Sequence, residues 1–181
     1  MKFSNKLFLL IILIPISLTL LSSGAGSDYV FRLGEKGWIY YIFSSKMSSC
    51  LDTKNPKNIE YDYTYVEIPD SVSMLTTIKI KDAYKPYMTI INSCDISYKI
   101  YPEIIYANPK GSDFIFRLKN EMPFEIWEKM YDCDKPFTIT FKFLNVNDTI
   151  NYHFRIDNKK WGKEKIKIQN VQHAINMTKG V

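Results

Sequence analysis

The stretch YDYTYVEI, residues 61 to 68, is the part of the sequence that best defines the fold. In an extended strand successive side chains point to opposite faces, so Tyr61, Tyr63 and Tyr65 share one face. The other face carries Thr64, Val66 and Ile68. Because both faces are partly apolar, the pattern indicates a strand in a β-sandwich or a barrel.

Similar short runs rich in Tyr, Phe, Ile, Val and Thr recur along the chain, bounded by Gly, Pro, Asn and Asp. These runs predict strands at residues 29–33, 38–43, 60–68, 74–81, 87–91, 96–106, 113–119, 137–144, 150–156 and 164–169. Strands that follow one another without intervening helices favour antiparallel pairing. We therefore expect an all-β domain, built as an antiparallel β-sandwich or a barrel-like sheet.

One segment, PFEIWEKMYD at residues 123–132, has the pattern of a helix. A proline is tolerated in the first turn of a helix. Large apolar side chains then recur at steps of three and four residues, at Phe124, Trp127, Met130 and Tyr131. The sequence therefore predicts one short helix, which we expect to cover one end of a sheet layer.

The N-terminus has the pattern of an export signal. Residues 7–21 are apolar and follow Lys2 and Lys6, and residues 22–27 are all small. A permanent membrane helix needs about 20 apolar residues, which is longer than this segment. We predict that residues 1–26 are a cleaved signal peptide. An uncleaved N-terminal anchor is the alternative.

The remaining residues, 27–181, are enough for one β-sandwich domain. Within them GSDYVFRL at 26–33 and GSDFIFRL at 111–118 agree at six of eight positions. This similarity is consistent with two duplicated halves, about 27–110 and 111–181. Convergence on a favourable strand sequence is the alternative explanation.

The chain contains three cysteines, Cys50, Cys94 and Cys133. Thiols of exported proteins tend to oxidise, so we expect one intramolecular disulfide and one remaining thiol. Cys94 and Cys133 each precede an aspartate and a strand-like run, which favours that pair. Three reduced cysteines are the alternative.

Basic residues are concentrated at the C-terminus. The whole chain has 24 Lys and Arg against 19 Asp and Glu, for a net charge of +5. Residues 159–181 contain six lysines and, as their one acidic residue, Glu164. Such a segment could contact anionic lipid or nucleic acid. The alternation of Lys165 to Ile168 instead predicts an edge strand that is protected by its charges.

Aromatic residues make up 15% of the chain. Tyrosine-rich surfaces favour contacts with proteins or sugars, because tyrosine combines a large contact area with a hydrogen-bonding tip. Tyrosine is also simply a favourable strand residue. The candidate binding surface comprises Trp38, Tyr40, Tyr41, Tyr61, Tyr63 and Tyr65.

Catalytic patterns are scarce. The sequence lacks a G-x-S-x-G elbow, an H-E-x-x-H motif, a P-loop and a dinucleotide-binding glycine pattern. His153 and His173 lie in different predicted elements, which argues against a histidine-based metal site. The sequence leaves open the possibility that Cys133 and His153 form a nucleophile pair.

We expect the acidic positions around the helix to serve solubility rather than to bind a cation; they are Glu125, Glu128, Asp132 and Asp134. We predict no catalytic residue, no cofactor and no metal.

A series of segments resembles the layout of the invasion-associated locus B family of exported bacterial proteins. They are Gly37-Trp38 with Cys50, YPEIIYANPKGSDFIFRL (101–118), MPFEIWEKMYDC (122–133), PFTITFKF (136–143), YHFRID (152–157) and IKIQNVQHAI (166–175). Members of that family usually carry a further cysteine shortly after the position of Cys133, where this chain has Asp134, Lys135 and Pro136. The resemblance implies a small β-rich protein linked to host-cell entry and without an established catalytic activity.

These observations together predict an exported, non-enzymatic binding protein of the periplasm or cell surface. Its partner would be a protein or a host or envelope component, held through aromatic-rich strands or an exposed sheet edge. We expect no nucleic acid partner and no permanent membrane span after cleavage. The alternatives are a periplasmic assembly factor or subunit that joins partners by strand addition, and a secreted hydrolase with dispersed catalytic residues.

Overall fold

The computed structural model describes residues 28–49, 56, 58–81, 84–144 and 149–179. The predicted signal peptide and Cys50 lie outside the described residues. Within these residues the chain forms ten strands and two helices. In chain order they are β1 (Tyr29–Gly34), β2 (Gly37–Ser49), β3 (Asn58–Val66), β4 (Ser71–Ile80), β5 (Lys85–Ser93), β6 (Ile96–Ile100), β7 (Glu103–Lys110), β8 (Asp113–Pro123), α1 (Phe124–Asp132), β9 (Thr138–Leu144), β10 (Thr149–Arg155) and α2 (Asn158–Thr178).

All strand pairs are antiparallel, which confirms the all-β expectation. The predicted strand 96–106 is divided into β6 and β7 at Tyr101 and Pro102. Proline has no backbone N–H to donate to a neighbouring strand, so it interrupts the pairing there.

The strands form one continuous sheet in the order β6-β5-β9-β10-β2-β3-β4-β8-β7, with β1 paired to β2. The two ends of this order, β6 and β7, are joined in the chain by two residues only. Three Cα–Cα steps from Ile100 to Glu103 span at most about 11 Å. The ends of β6 and β7 that this link joins must therefore lie close together, so the sheet curls into a barrel-like form that stays open between β6 and β7, which do not pair.

The concave face of the sheet carries the core. Tyr61, Tyr63 and Tyr65 of β3 are buried on this face, as the alternation in YDYTYVEI predicts. Helix α1 buries the four side chains that define its predicted apolar face, including Trp127 and Tyr131. The aromatic rings of strand and helix meet edge to face, with the Tyr63 and Trp127 centroids 5.3 Å apart.

Residues 164–169 form part of α2, so the predicted edge strand is wrong and the chain has a second, longer helix. The local alternation of lysine and isoleucine is short, whereas the buried side chains of α2 recur at helical spacing over a longer stretch. They are Trp161, Ile168, Val171, Gln172 and Ile175. Ile166, which the strand pattern would place beside Ile168, is 62% exposed. Asp157 caps the start of the helix, and its side chain accepts a 2.8 Å hydrogen bond from the Lys159 amide.

A disulfide joins Cys94 to Cys133 with a Cα–Cα distance of 6.0 Å, so the favoured cysteine pair is present. It ties the turn between β5 and β6 to the end of α1. Beside it the Ser93 hydroxyl donates a 3.0 Å hydrogen bond to the Met130 carbonyl. The similar segments 29–33 and 113–118 lie in β1 and β8, and duplication stays a prediction.

Candidate binding surfaces

Four of the six residues proposed as an aromatic binding surface lie in the core, so that prediction is wrong for them. Tyr40, Tyr61, Tyr63 and Tyr65 are 0–2% exposed. They occupy the concave face of β2 and β3, which α1 and α2 cover. A tyrosine in this position contributes its ring to the core and its hydroxyl to a hydrogen bond.

The hydroxyls of these tyrosines connect the sheet to the helices. Tyr63 and Tyr131 share a hydrogen bond of 3.0 Å between their hydroxyls. Tyr61 donates to a Glu164 carboxylate oxygen at 3.0 Å. Burial raises the pKa of Tyr61, Tyr63 and Tyr131 above the ordinary value of 10.0, since the charged phenolate is disfavoured away from water. These tyrosines therefore stay protonated and structural at neutral pH.

The remaining two residues of that prediction are partly buried and lie on opposite faces of β2. The Trp38 ring contacts the Phe31 ring of β1 edge to face. The backbone amide of Trp38 donates a 2.7 Å hydrogen bond to a carboxylate oxygen of Glu67. Tyr41 has the guanidinium of Arg32 5.6 Å from its ring centroid. The structure therefore does not bring the six aromatic residues together on one exposed surface.

The residues considered for catalysis are engaged elsewhere. Cys133 is half of the disulfide, so the Cys133–His153 nucleophile pair is wrong. His153 Nδ1 lies 2.8 Å from the Thr140 hydroxyl, and His173 is exposed on α2. Within the part of the chain that the structure describes, no three His, Cys, Asp or Glu side chains group as metal ligands would.

The acidic residues near α1 pair with neighbouring side chains. Glu125 pairs with Lys129, and this ammonium lowers the pKa of the Glu125 carboxyl. Glu128 accepts a 2.8 Å hydrogen bond from Asn176. Asp134 lies 3.3 Å from Lys165 Nζ, which also donates to the carbonyls at the end of α1. The contacts of Asn176 and Lys165 fix α1 and the residues that follow it against α2, whereas the Glu125–Lys129 pair lies within α1.

Part of α2 lines a groove of about 590 Å³, which we call the lysine groove. Its lining residues are Asp28, Lys159, Lys160, Lys163, Glu164, Ile166, Lys167 and Asn170. Glu164 also borders an adjoining cavity of about 230 Å³, where it accepts hydrogen bonds from Tyr61 and, at 2.9 Å, from Ser45. The sequence shows only that these lysines lie in one segment of the chain. The fold of α2 places four of them on one surface.

Strand β7 provides a second surface. It pairs with β8 alone, and all eight of its residues are exposed. Ile104, Ile105 and Tyr106 are 37–48% exposed, and Tyr101 just before the strand is 80% exposed. A bulge at Ile105 interrupts the register with β8. The sequence predicted a strand here but not its position at the sheet edge, for which the local signals are Pro102 before the strand and Pro109 within it.

Comparison of the chain with protein-family models, curated proteins and solved structures finds no match. Neither helix of the described residues combines the length and the apolar character needed to cross a membrane.

Proposed function

We propose that this protein is an exported, non-enzymatic binding protein that adds an extended segment of a partner protein to its sheet at β7. The observation that supports this proposal is that all eight residues of β7, an edge strand with large apolar side chains, are exposed. An edge strand presents unpaired backbone N–H and C=O groups, to which a second extended chain can hydrogen-bond.

The charge pattern of the edge strands favours β7 over the other two candidates. Natural proteins protect sheet edges with charged residues, because a charge opposes pairing with a further strand. Strand β1 carries Arg32 and β6 carries Lys99, whereas residues 104–108 of β7 carry no charge. The central part of β7 therefore lacks protection by charge, and its irregularities are the bulge at Ile105 and Pro109.

Side chains on both faces of β7 would contribute to binding. Ile104 pairs with Leu118 of β8, so it lies on the concave side of the sheet. Tyr106 pairs with Arg117 and lies on the outer side. An added strand would cover apolar area on both faces, while its backbone supplies the hydrogen bonds.

Two observations support an exported location in the periplasm or at the cell surface. The N-terminal residues have the composition of a signal peptide. The Cys94–Cys133 disulfide suits an oxidising compartment. Together with the family resemblance, these features favour an invasion- or envelope-associated factor. Strand addition equally suits a subunit or assembly factor of an envelope complex.

The test begins with a photo-reactive amino acid at Ile105, introduced in the organism that makes the protein. The cross-linked partner is identified by mass spectrometry, and its binding to the purified protein is then measured. Ile105→Lys should weaken binding at least about tenfold, because it places a charge in the edge. Val30→Lys is the matched control, since Val30 is a similarly exposed aliphatic residue of edge strand β1.

Binding should also slow hydrogen exchange of the β7 amides, since they would gain partners. Equal binding by the Ile105→Lys and Val30→Lys proteins would contradict strand addition at β7. Deletion of the gene separates the two biological settings. Loss of host-cell adherence with an intact envelope favours the invasion role, whereas an envelope defect favours the assembly role.

A further inference from the structure

We propose that the lysine groove docks on an anionic membrane surface. The groove lies on α2 beside Asp28 and does not include β7, so this inference is independent of strand addition. Four lysines line it against two carboxylates, which leaves an excess of two positive charges.

Three of these lysines are available to a ligand. Within the described residues, Lys159, Lys160 and Lys163 form no ion pair. The Glu164 carboxylate is already held by the hydroxyls of Tyr61 and Ser45. Each free ammonium group carries three donors that suit lipid phosphate oxygens.

One apolar side chain lies among the lysines of the groove, and a second is exposed near them. Ile166, in the groove lining, is 62% exposed. Phe43 is exposed as well, and its carbonyl accepts a 3.4 Å hydrogen bond from Lys167. Basic residues next to exposed apolar ones are typical of surfaces that lie at a membrane interface, where the apolar groups enter the headgroup boundary. This combination favours lipid over a purely polar polyanion.

The position of Asp28 supports the same orientation. The apolar segment 7–21 ends seven residues before Asp28. A fully extended chain of seven residues spans at most about 25 Å. Asp28 lines the groove and lies 3.9 Å from Lys167. In a form that retains residues 7–21 in the membrane, Asp28 would lie within about 25 Å of the apolar core, so the groove would be within reach of the lipid surface.

The test uses the full chain with vesicles of phosphatidylcholine alone or with added phosphatidylglycerol. Lysine acetylation is followed residue by residue by peptide mass spectrometry. Acetylation of Lys160 should be slower on the anionic vesicles than on the neutral ones. Lys110, exposed at the end of β7, should react equally on both. Insertion of residues 7–21 would itself hold Lys160 near the lipid, so variants that retain this segment and change only the charge of the groove are needed to separate docking from tethering.

A matched pair of variants tests the role of charge. K159Q/K163Q should reduce docking about 30-fold, since each lysine near an anionic surface contributes about 1 kcal/mol. Lys160 would then react on anionic vesicles as fast as on neutral ones. K85Q/K99Q removes the same charge from β5 and β6 and should leave Lys160 protected.

Equal acetylation of Lys160 on both vesicle types would overturn the proposal. Equal loss of protection in the two double variants would also overturn it, because net charge rather than the groove would be responsible. Protection by duplex DNA or polyglutamate, without protection by anionic vesicles, would assign the groove to an acidic macromolecule instead.

Discussion

Replacing both Cys94 and Cys133 by serine should lower the free energy of unfolding by about 4 kcal/mol. The disulfide closes a loop across a sequence separation of 39 residues. For a loop of that length, the chain-entropy relation gives a loss of about 13 cal/mol/K in the unfolded chain. The loop contains β6, β7, β8 and α1, so it includes both edges of the curled sheet.

Urea unfolding followed by circular dichroism measures this difference. With a slope of about 2 kcal/mol per molar urea, the midpoint should fall by roughly 2 M. Wild-type protein reduced with dithiothreitol should unfold at the same midpoint as the double variant. The double variant treated with dithiothreitol is the control for the reductant and should retain its own midpoint.

The reasoning would be refuted if reduction of the wild-type protein left the midpoint unchanged. It would also be refuted if dithiothreitol lowered the midpoint of the double variant as much as that of the wild-type protein. In either case the constraint on the unfolded chain would not come from the Cys94–Cys133 loop.

Two further predictions concern the aromatic core. Trp127 is fully buried, and its ring contacts the rings of Tyr63 and Phe124. Trp127→Ala should therefore lower the free energy of unfolding, measured with urea, by about 3–5 kcal/mol. A decrease below about 1 kcal/mol would contradict this prediction. Burial raises the pKa of Tyr63 and Tyr131 above 10.0, so the folded protein retains these protons more tightly than the unfolded chain. The stability that comes from these two tyrosines should therefore be fully present below about pH 10 and should fall as the pH rises further. The fall should be less steep in the Tyr63→Phe variant. An unfolding midpoint that stays constant up to pH 11 would argue against this prediction.

Much of the sheet is readable from the sequence because strands leave a local signal. The period-2 alternation around Tyr61 to Tyr65 follows from the pleat of the strand and needs no knowledge of the partner strands. The spacing of Phe124, Trp127, Met130 and Tyr131 identifies α1 in the same way. The structure confirms both patterns by burying the predicted side chains.

The errors arise where a local pattern has two readings. The alternation from Lys165 to Ile168 is compatible with a strand, but burial of Trp161, Val171 and Ile175 against the core decides for a helix. A tyrosine-rich strand face can be a binding surface or an interior. The choice depends on whether another element covers it, which no short stretch of sequence specifies.

The sequence by itself determined the antiparallel strand character, the aromatic face of β3 and the short helix α1. Each of these depends on residue spacing or composition within a few residues. The tertiary structure alone decided which strands became edges, which tyrosines became interior and which lysines line one groove. These properties depend on contacts between residues distant in the chain, such as Tyr61 with Glu164, and on the two-residue link that brings β6 and β7 together.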